Sequence, residues 1–234
     1  MKKVFILIGV GIAMGCIMLS CAPKKNLGTV VAVSNKVAVK AEPKKDGTYI
    51  TSLARWEQVV WLGDSAIDNE KRVYYKVQLS DGKIGWAGAY GSVVNGTVSV
   101  VKDSSALYLR PDITTATKTV LPSLLIVVAS TTKDRFVNII GQDRKLSGWL
   151  FSEIITSNPA DVQAAIVTEQ TLETSGNQVS EQMINEIASK LGGPNSFVIQ
   201  KLRERIAGTQ TGAAIDSAQA AQVPQTESSS DMTE

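Results

Sequence analysis

The strongest constraint on what this chain can fold into is a hairpin that it writes twice. YYKVQLSDGKIGWAGAY, residues 74–90, is two alternating runs joined by Ser80-Asp81-Gly82 and ending on Gly85-Trp86. RFVNIIGQDRKLSGWLFSEII, residues 135–155, again lands on Gly-Trp, at Gly148-Trp149. Alternation with period two marks half-buried strands, and Asp-Gly is the strongest short hairpin signal. Sliding one segment along the other extends the match. KVAVKAEP (Lys36 to Pro43) lines up with ALYLRP (Ala106 to Pro111) with two residues of slack; Leu53 and Val59 line up with Leu121 and Val127; Tyr75 falls on Phe136. Residues 29–97 and 98–157 therefore read as two degenerate copies of one β unit. A unit this small is near the lower limit for folding unaided, so packing against its twin adds stability.

Within each copy the punctuation is that of an all-β chain. TVVAVSNKVAVKAE alternates and is rich in Val, EPKKDGT is a turn by composition, and EQVVWLG leads into a charged loop, DSAIDNEKR. Tyr75, Val77 and Leu79 share a strand face. Trp86 and Trp149, each mid-strand beside a glycine, read as buried core, as do Tyr75 and Phe136, and Trp61 alternates with Val59 to face inward.

The amino terminus reads as an address. MKKVFILIGVGIAMGCIMLSCAPKKN has Lys2 and Lys3, an apolar run from Val4 to about Leu19, then small and polar residues, which is a signal-peptide layout. Met18-Leu19-Ser20-Cys21 resembles the lipobox of bacterial lipoproteins. The resemblance implies removal of residues 1–20, a diacylglycerol on Cys21, acylation of the new amino terminus, and a short polar tether over residues 21–28. Two or three acyl chains anchor durably where one is marginal. Cleavage at Cys16 would leave the apolar run CIMLS on the product; an uncleaved anchor helix and a plain secretory peptide are the other readings. Removing Lys2 and Lys3 from the 24 basic residues leaves 22, against 22 acidic ones, so general adhesion to an anionic surface is not expected.

The repeated unit resembles the bacterial SH3-like family. The first copy carries YYKVQLSDGKIGWAG, close to the family's closing hairpin. The second matches its opening strand, with ALYLRP, but replaces the Asp-Gly turn by a longer loop, GQDRKLS. The resemblance implies two tandem, strongly bent barrels of five or six strands, in proteins that bind peptides, cell-wall stems or protein partners through an aromatic groove. Three side chains are candidates to line it: Trp56, between Arg55 and Glu57 where a turn and a partly exposed ring are expected, and Tyr90 and Tyr108 at strand ends, each an apolar ring with a polar tip.

Catalysis is not expected. The chain has no histidine, and both of its cysteines, Cys16 and Cys21, lie in its first 21 residues. Ser-His-Asp and Cys-His machinery and zinc sites of the His-rich kind are thereby excluded, as is a disulfide framework. Asp64, Asp68, Glu70 and Asp81 cluster in sequence, but in turn and loop segments where acidic residues serve solubility and turn formation. GVGIAMG falls inside the leader, so no phosphate-cradling loop remains and no cofactor is expected. No basic tract or aromatic-basic platform points to nucleic acid.

After Asn158-Pro159 the period changes. ADVQAAIVTEQTLET reads as a helix with Val162, Ile166, Gln170 and Leu172 along one side. SEQMINEIASKLGG has Ser180 as cap, an apolar stripe of Met183, Ile184, Ile187 and Leu191, and Gly192-Gly193 as stop. PNSFVIQKLRERIAG repeats the design, with Asn195 or Ser196 as cap, Val198, Leu202 and Ile206 as stripe, and Gly208 as stop. The stripes imply docking on the β units or a bundle; the sharper reading is a surface for oligomerisation or a partner. Residues 158–208 are thus a helical region, and 209–234, small and polar, a disordered tail. The expectation for the whole is a mainly β, lipid-anchored cell-envelope protein facing the periplasm or exterior, a non-catalytic binding or scaffolding module for cell-wall peptide or an envelope protein. The alternatives are an accessory subunit of a wall-remodelling enzyme and an assembly protein working through its helices.

Overall fold

The computed structural model describes residues 27–175, 179–191 and 196–207. Cys16, Cys21, the leader, residues 21–26 of the tether, Asn195, the glycine stops Gly192, Gly193 and Gly208, and the tail 209–234 lie outside the described residues. No helix among those described is long and apolar enough to cross a membrane.

The fold is mainly β: two antiparallel seven-stranded sheets followed by helices. The first unit runs β1 (Gly28–Ala32), β2 (Val37–Lys40), β3 (Tyr49–Leu53), β4 (Gln58–Ile67), β5 (Val73–Gln78), β6 (Ile84–Gly88) and β7 (Ser92–Val94). The second runs β8 (Thr97–Val101), β9 (Ser105–Tyr108), β10 (Ala116–Leu121), β11 (Ile126–Lys133), β12 (Phe136–Ile140), β13 (Ser147–Phe151) and β14 (Ile155–Thr156). Strand order is β3-β2-β6-β5-β4-β1-β7 in the first sheet and β10-β9-β13-β12-β11-β8-β14 in the second, the same path displaced by seven elements. Each unit has one strand more than the larger of the expected numbers, since a short closing strand, β7 or β14, returns beside β1 or β8. In each unit all seven strands put a residue on one core: Val30, Val39, Leu53, Val59, Val77, Ala87 and Val94 in the first, Val101, Leu107, Leu121, Val127, Ile139, Leu150 and Ile155 in the second. A flat sheet cannot do this, so each is folded over upon itself.

The recurring Gly-Trp has a steric origin, and it reverses one expectation. Gly85 and Gly148 point into the cores, whereas Trp86 and Trp149 stand half-buried on the outer faces. A Cβ on Gly85 would lie 2.6 Å from Val39 Cγ1, and one on Gly148 would lie 2.8 Å from both Leu107 Cγ and the Tyr108 carbonyl oxygen. The neighbouring strand crosses too close for any side chain, so the inward position must be glycine and the ring is left outside. The same phase corrects the alignment by one residue. Tyr74 pairs with Gly88 and Phe136 with Phe151, each partner two residues past its tryptophan, so Phe136 corresponds to Tyr74 and not to Tyr75. Tyr75 turns inward and meets Trp61 edge to face, 6.4 Å between centroids.

The hairpin turn of the first copy is as read: Leu79 and Lys83 close it, Gly82 sits at φ 84, and Asp81 accepts from the Lys83 N–H. DSAIDNEKR is only partly loop, since β4 continues through Ile67.

The two units share a third core. Val31 and Val33 of the first, Val98, Val100, Ile126 and Val128 of the second, and the helices α1 (Pro159–Ser175), α2 (Glu181–Lys190) and α3 (residues 197–207) all contribute to it. β1 and β8 are therefore buried on both faces, which corrects the half-buried strand expected at TVVAV: VVAV is a continuous apolar run with every side chain enclosed. α1 is likewise buried on more than one side, through Val162, Ala164, Ala165 and Thr168, while Gln163 and Gln170 are exposed. Ser180 caps α2 through the Met183 N–H, and Ser196 accepts from the Val198 N–H. Asp161 of α1 takes both the Ser196 hydroxyl and the Phe197 N–H on one oxygen, tying the start of α3 to the start of α1.

Only Asn95 and Gly96 separate β7 from β8. The longer hairpin loop of the second copy supplies a further tie. Asp143 and Arg144 adopt φ of 52° and 55°, costly for residues other than glycine. The conformation aims the Asp143 N–H at the Val33 carbonyl (2.9 Å) and the Arg144 guanidinium at the carbonyls of Tyr90 (2.8 Å) and Ser92 (2.5 Å) across the junction. We expect Arg144→Ala to lower stability by about 1–3 kcal/mol, the range for bonds from a charged donor, read as a lower urea midpoint. An unchanged midpoint would show that the loop merely rests on its neighbour.

Candidate functional site

The three candidate side chains end up in three different places. Trp56 is not partly exposed: it is 5% exposed, packed in the shared core, with its indole N–H donating to Glu169 of α1 at 2.7 Å. Its turn departs from the chain path at φ 69, which throws the ring under the helix. Arg55 beside it donates to Glu173 at 2.5 Å, and its Nε lies 3.8 Å from Glu169. The turn is thus a clasp between the first sheet and α1. The signal that could have revealed this lies a hundred residues away, in Glu169 and Glu173 spaced one helical turn apart.

Tyr90 is the opposite case. It stands 81% exposed on the short 3-10 turn Ala89–Gly91, with its carbonyl taken by Arg144. The ring has solvent around it and is joined to neither of the other two candidates.

Tyr108 lies in an aromatic group on the outer face of the second sheet. Its ring meets Phe136 at 5.4 Å and Phe151 at 5.3 Å, both edge to face, and Phe136 stacks on Phe151 at 4.6 Å. The strand register accounts for the grouping: Phe136 is opposite Phe151, and Trp149 is opposite Tyr108. The Arg135 guanidinium covers Phe151 at 4.5 Å and donates to Glu153 at 2.9 Å. Exposed apolar side chains adjoin on β9, β10 and the turn between them: Leu109 (69%), Ile113 (65%) and Val120 (64%). Sequence reasoning singled out Tyr108 and missed these neighbours. They become visible when the copies are compared in register, for the first copy has Lys40 in place of Tyr108, Ala41 for Leu109, Ser52 for Val120 and Gly88 for Phe151.

The equivalent region of the first unit mixes polar and apolar groups: Lys40 has the exposed Tyr49 opposite it on one side and the half-buried Trp86 on the other. A groove of about 460 Å³ runs between the loop holding Pro43, Lys44, Lys45 and Asp46 and the loop from Ile67 to Arg72. Asp68 organises the second loop, accepting from the N–H groups of Glu70 and Arg72, from the Arg72 guanidinium at 2.8 Å and from the Tyr74 hydroxyl at 3.2 Å. Burial pushes the Asp68 carboxyl up, but the bonds and charge from Arg72 and the Glu70 N–H outweigh it and hold the group below its ordinary value. Burial and the Asp68 charge raise the Tyr74 hydroxyl.

The carboxylates that cluster in sequence each lie beside a cation. Asp68 and Glu70 both pair with Arg72, Asp64 lies 3.8 Å from Lys76, and Asp81 pairs with Lys83 at 2.9 Å. Among the described residues no group of three or more Asp, Glu, His or Cys is placed to hold a metal ion.

A second hollow, of about 590 Å³, lies at the seam of the two units, between the turn carrying Trp56, the first residues of β8 and one side of α1.

No family model matches the chain, and no curated protein matches it. Among solved structures it is similar to NlpC1 from Trichomonas vaginalis, at 15% identity and a TM-score of 0.25, covering 68% of this chain and 59% of that one. It is similar also to NlpC2 from the same organism, at 13% identity and a TM-score of 0.25, covering 62% of this chain and 56% of that one. The chain thus spans less than two thirds of the length of either neighbour, and similarity at this TM-score assigns no function.

Proposed function

We propose that the protein is a lipid-anchored component of a bacterial cell envelope, and that its two sheet units, similar to bacterial SH3-like domains, form a non-catalytic binding module. The ligand is a peptide strand, of the cell wall or of an envelope protein, and it lies on the outer face of the second unit around Tyr108. One observation carries the reading: the exposed Leu109, Ile113 and Val120 accompany the half-buried aromatic pair Tyr108 and Phe151, whose register equivalents in the first copy are Lys40 and Gly88. Solvent-facing apolar groups this concentrated mark interaction surfaces. The lack of histidine and the confinement of both cysteines to the first 21 residues support binding without chemistry. The anchor rests on the lipobox-like Met18-Leu19-Ser20-Cys21. That the helical stripes are spent inside the shared core favours docking over partner recognition as the role of the helices.

The purified mature protein should be retained on insoluble peptidoglycan, and the double substitution Tyr108→Ser with Leu109→Ser should cut the retained fraction by about tenfold, the loss of a typical aromatic anchor. Trp86→Ala, on the matching face of the first unit, should leave it unchanged. Equal loss in both variants, or no retention of the parent, would remove the wall ligand. Intact mass of the mature protein reports the anchor separately: a chain still carrying residues 1–20 would end that part of the reading.

A further inference from the structure

We infer that the peptide held around Tyr108 is an acidic, extended segment of a protein, and that it binds by pairing its backbone with the open edge of β10 as an eighth strand of the second sheet. The inference rests on the reading of that face as a peptide site. β10 is the terminal strand of its sheet, and among the described residues its ladder runs to β9 alone. A strand so placed turns a row of N–H and C=O groups away from its one neighbour, and another extended backbone is what complements such a row. Ala116, Lys118, Thr119 and Val120 are exposed along it, and only the Thr119 N–H is met locally, by the Thr117 hydroxyl at 3.1 Å. The edge is continuous with the outer face. Ala116 is opposite Tyr108 and Val120 opposite Ala106, so both share the side of the sheet that carries the Tyr108 ring.

The first copy supplies the contrast. Its terminal strand β3 matches β10 in register, Tyr49 with Ala116 and Ser52 with Val120. Between those points the first copy has Ile50 and Thr51, both half-buried, with Ile50 packed against the first core. The second copy has one residue more, Thr117-Lys118-Thr119, and Lys118 and Thr119 stand in solvent. Lys118 has no ion-pair partner among the described residues. Its charge decides what the edge accepts. Two copies of β10 pairing antiparallel about Lys118 would set like charges face to face, which is how a lysine keeps an edge from its own kind. A strand with a carboxylate opposite Lys118 meets attraction in the same geometry, so one side chain rejects a second copy and admits an acidic partner. Val120, 64% exposed, offers an apolar contact to a neighbouring side chain of that partner. β10 is six residues long, and a partner that fills the edge is a strand of similar length, which favours a protein segment over a short wall peptide.

The test uses the full mature chain labelled with nitrogen-15 in detergent micelles. It is titrated with the blocked hexapeptide Thr-Val-Glu-Val-Thr-Val, with its Glu-to-Lys analogue, and with two forms of the Glu peptide N-methylated on one or the other set of alternate residues. The Glu peptide should shift the backbone amides of residues 116–120 and slow their hydrogen exchange. The Lys analogue should bind at least about fivefold more weakly through loss of charge complementarity. Of the two methylated forms, the one that has lost the N–H groups facing β10 should fail to bind, and the other should bind nearly as the parent peptide does. Lys118→Glu, at an exposed position, should keep the spectrum elsewhere and reverse the preference between the Glu and Lys peptides. Equal affinity of the two methylated forms, or an unchanged charge preference in Lys118→Glu, overturns the inference. Shifts confined to Tyr108 and Phe151 would remove the edge while leaving the outer face as a peptide site. No shift with any peptide, together with wall retention that still depends on Tyr108, would replace the protein segment by a wall ligand.

Discussion

Trp56→Ala should destabilise the protein by about 3–5 kcal/mol, the cost of deleting a large buried ring and leaving its cavity. Three losses coincide at this residue. The ring leaves the shared core, which both units and the helices line. Its indole N–H no longer meets Glu169, so a carboxylate half inside the protein loses a partner at 2.7 Å. The φ of 69° was tolerable while the ring was held under the helix, and becomes an uncompensated strain once it is gone. Trp56→Phe separates these terms: it keeps most of the apolar filling and should cost about 1–3 kcal/mol, chiefly for the unmet carboxylate. Thermal unfolding followed by circular dichroism reads both. If Trp56→Ala melted with the parent, the clasp between the first sheet and α1 would have no energetic weight. A practical consequence is that Trp56→Ala is a poor probe of ligand binding, since lost retention would report lost structure.

The second large effect concerns the inward glycines. Gly148→Ala should cost about 1–3 kcal/mol, the usual penalty for forcing an extra methyl into a filled core. The clash is with a backbone atom, the Tyr108 carbonyl oxygen at 2.8 Å, as well as with the Leu107 side chain, so rotamer changes alone cannot relieve it. Moving the Tyr108 backbone would also displace the Tyr108 ring from Phe136 and Phe151, so the variant should lose near-ultraviolet dichroism from that aromatic group. Gly88→Ala is the control. A Cβ there meets nothing within 4 Å, and its effect should stay within about 0.5 kcal/mol, as for ordinary surface changes. Similar losses for the two variants would show that Gly148 is chosen for something other than space.

These glycines also explain where the sequence could be read and where it misleads. The duplication was legible because Leu53 with Val59 and Leu121 with Val127 keep their spacing, and because glycine and tryptophan stay adjacent. The phase of that strand was not. Reading by hydrophobicity puts tryptophan inside and glycine outside, and here close strand crossing reverses the order, which also shifted Tyr75 onto Phe136 by one place. A slip of one residue turns a whole strand over. The helices were legible as elements, with Ser180 capping as expected, but the faces of α1 were not. A helix enclosed between two sheets and two other helices shows no single stripe. Of the candidate site residues, Tyr108 was found among aromatic neighbours, Tyr90 is exposed and solitary, and Trp56 was misplaced because its partners, Glu169 and Glu173, come from a segment with no local connection to it.

Genes for tandem repeats commonly gain or lose copies by unequal recombination, since each repeat touches only its neighbours and the array survives at any length. The seam made by β1, β8 and the three helices closes that route. Deleting one copy would strip the partner from a row of valines, and inserting a third would have nowhere to dock on α1. A lineage carrying this pair is held at two, and can acquire a new partner only by substitution within a copy, the kind of change that separates Lys40 from Tyr108.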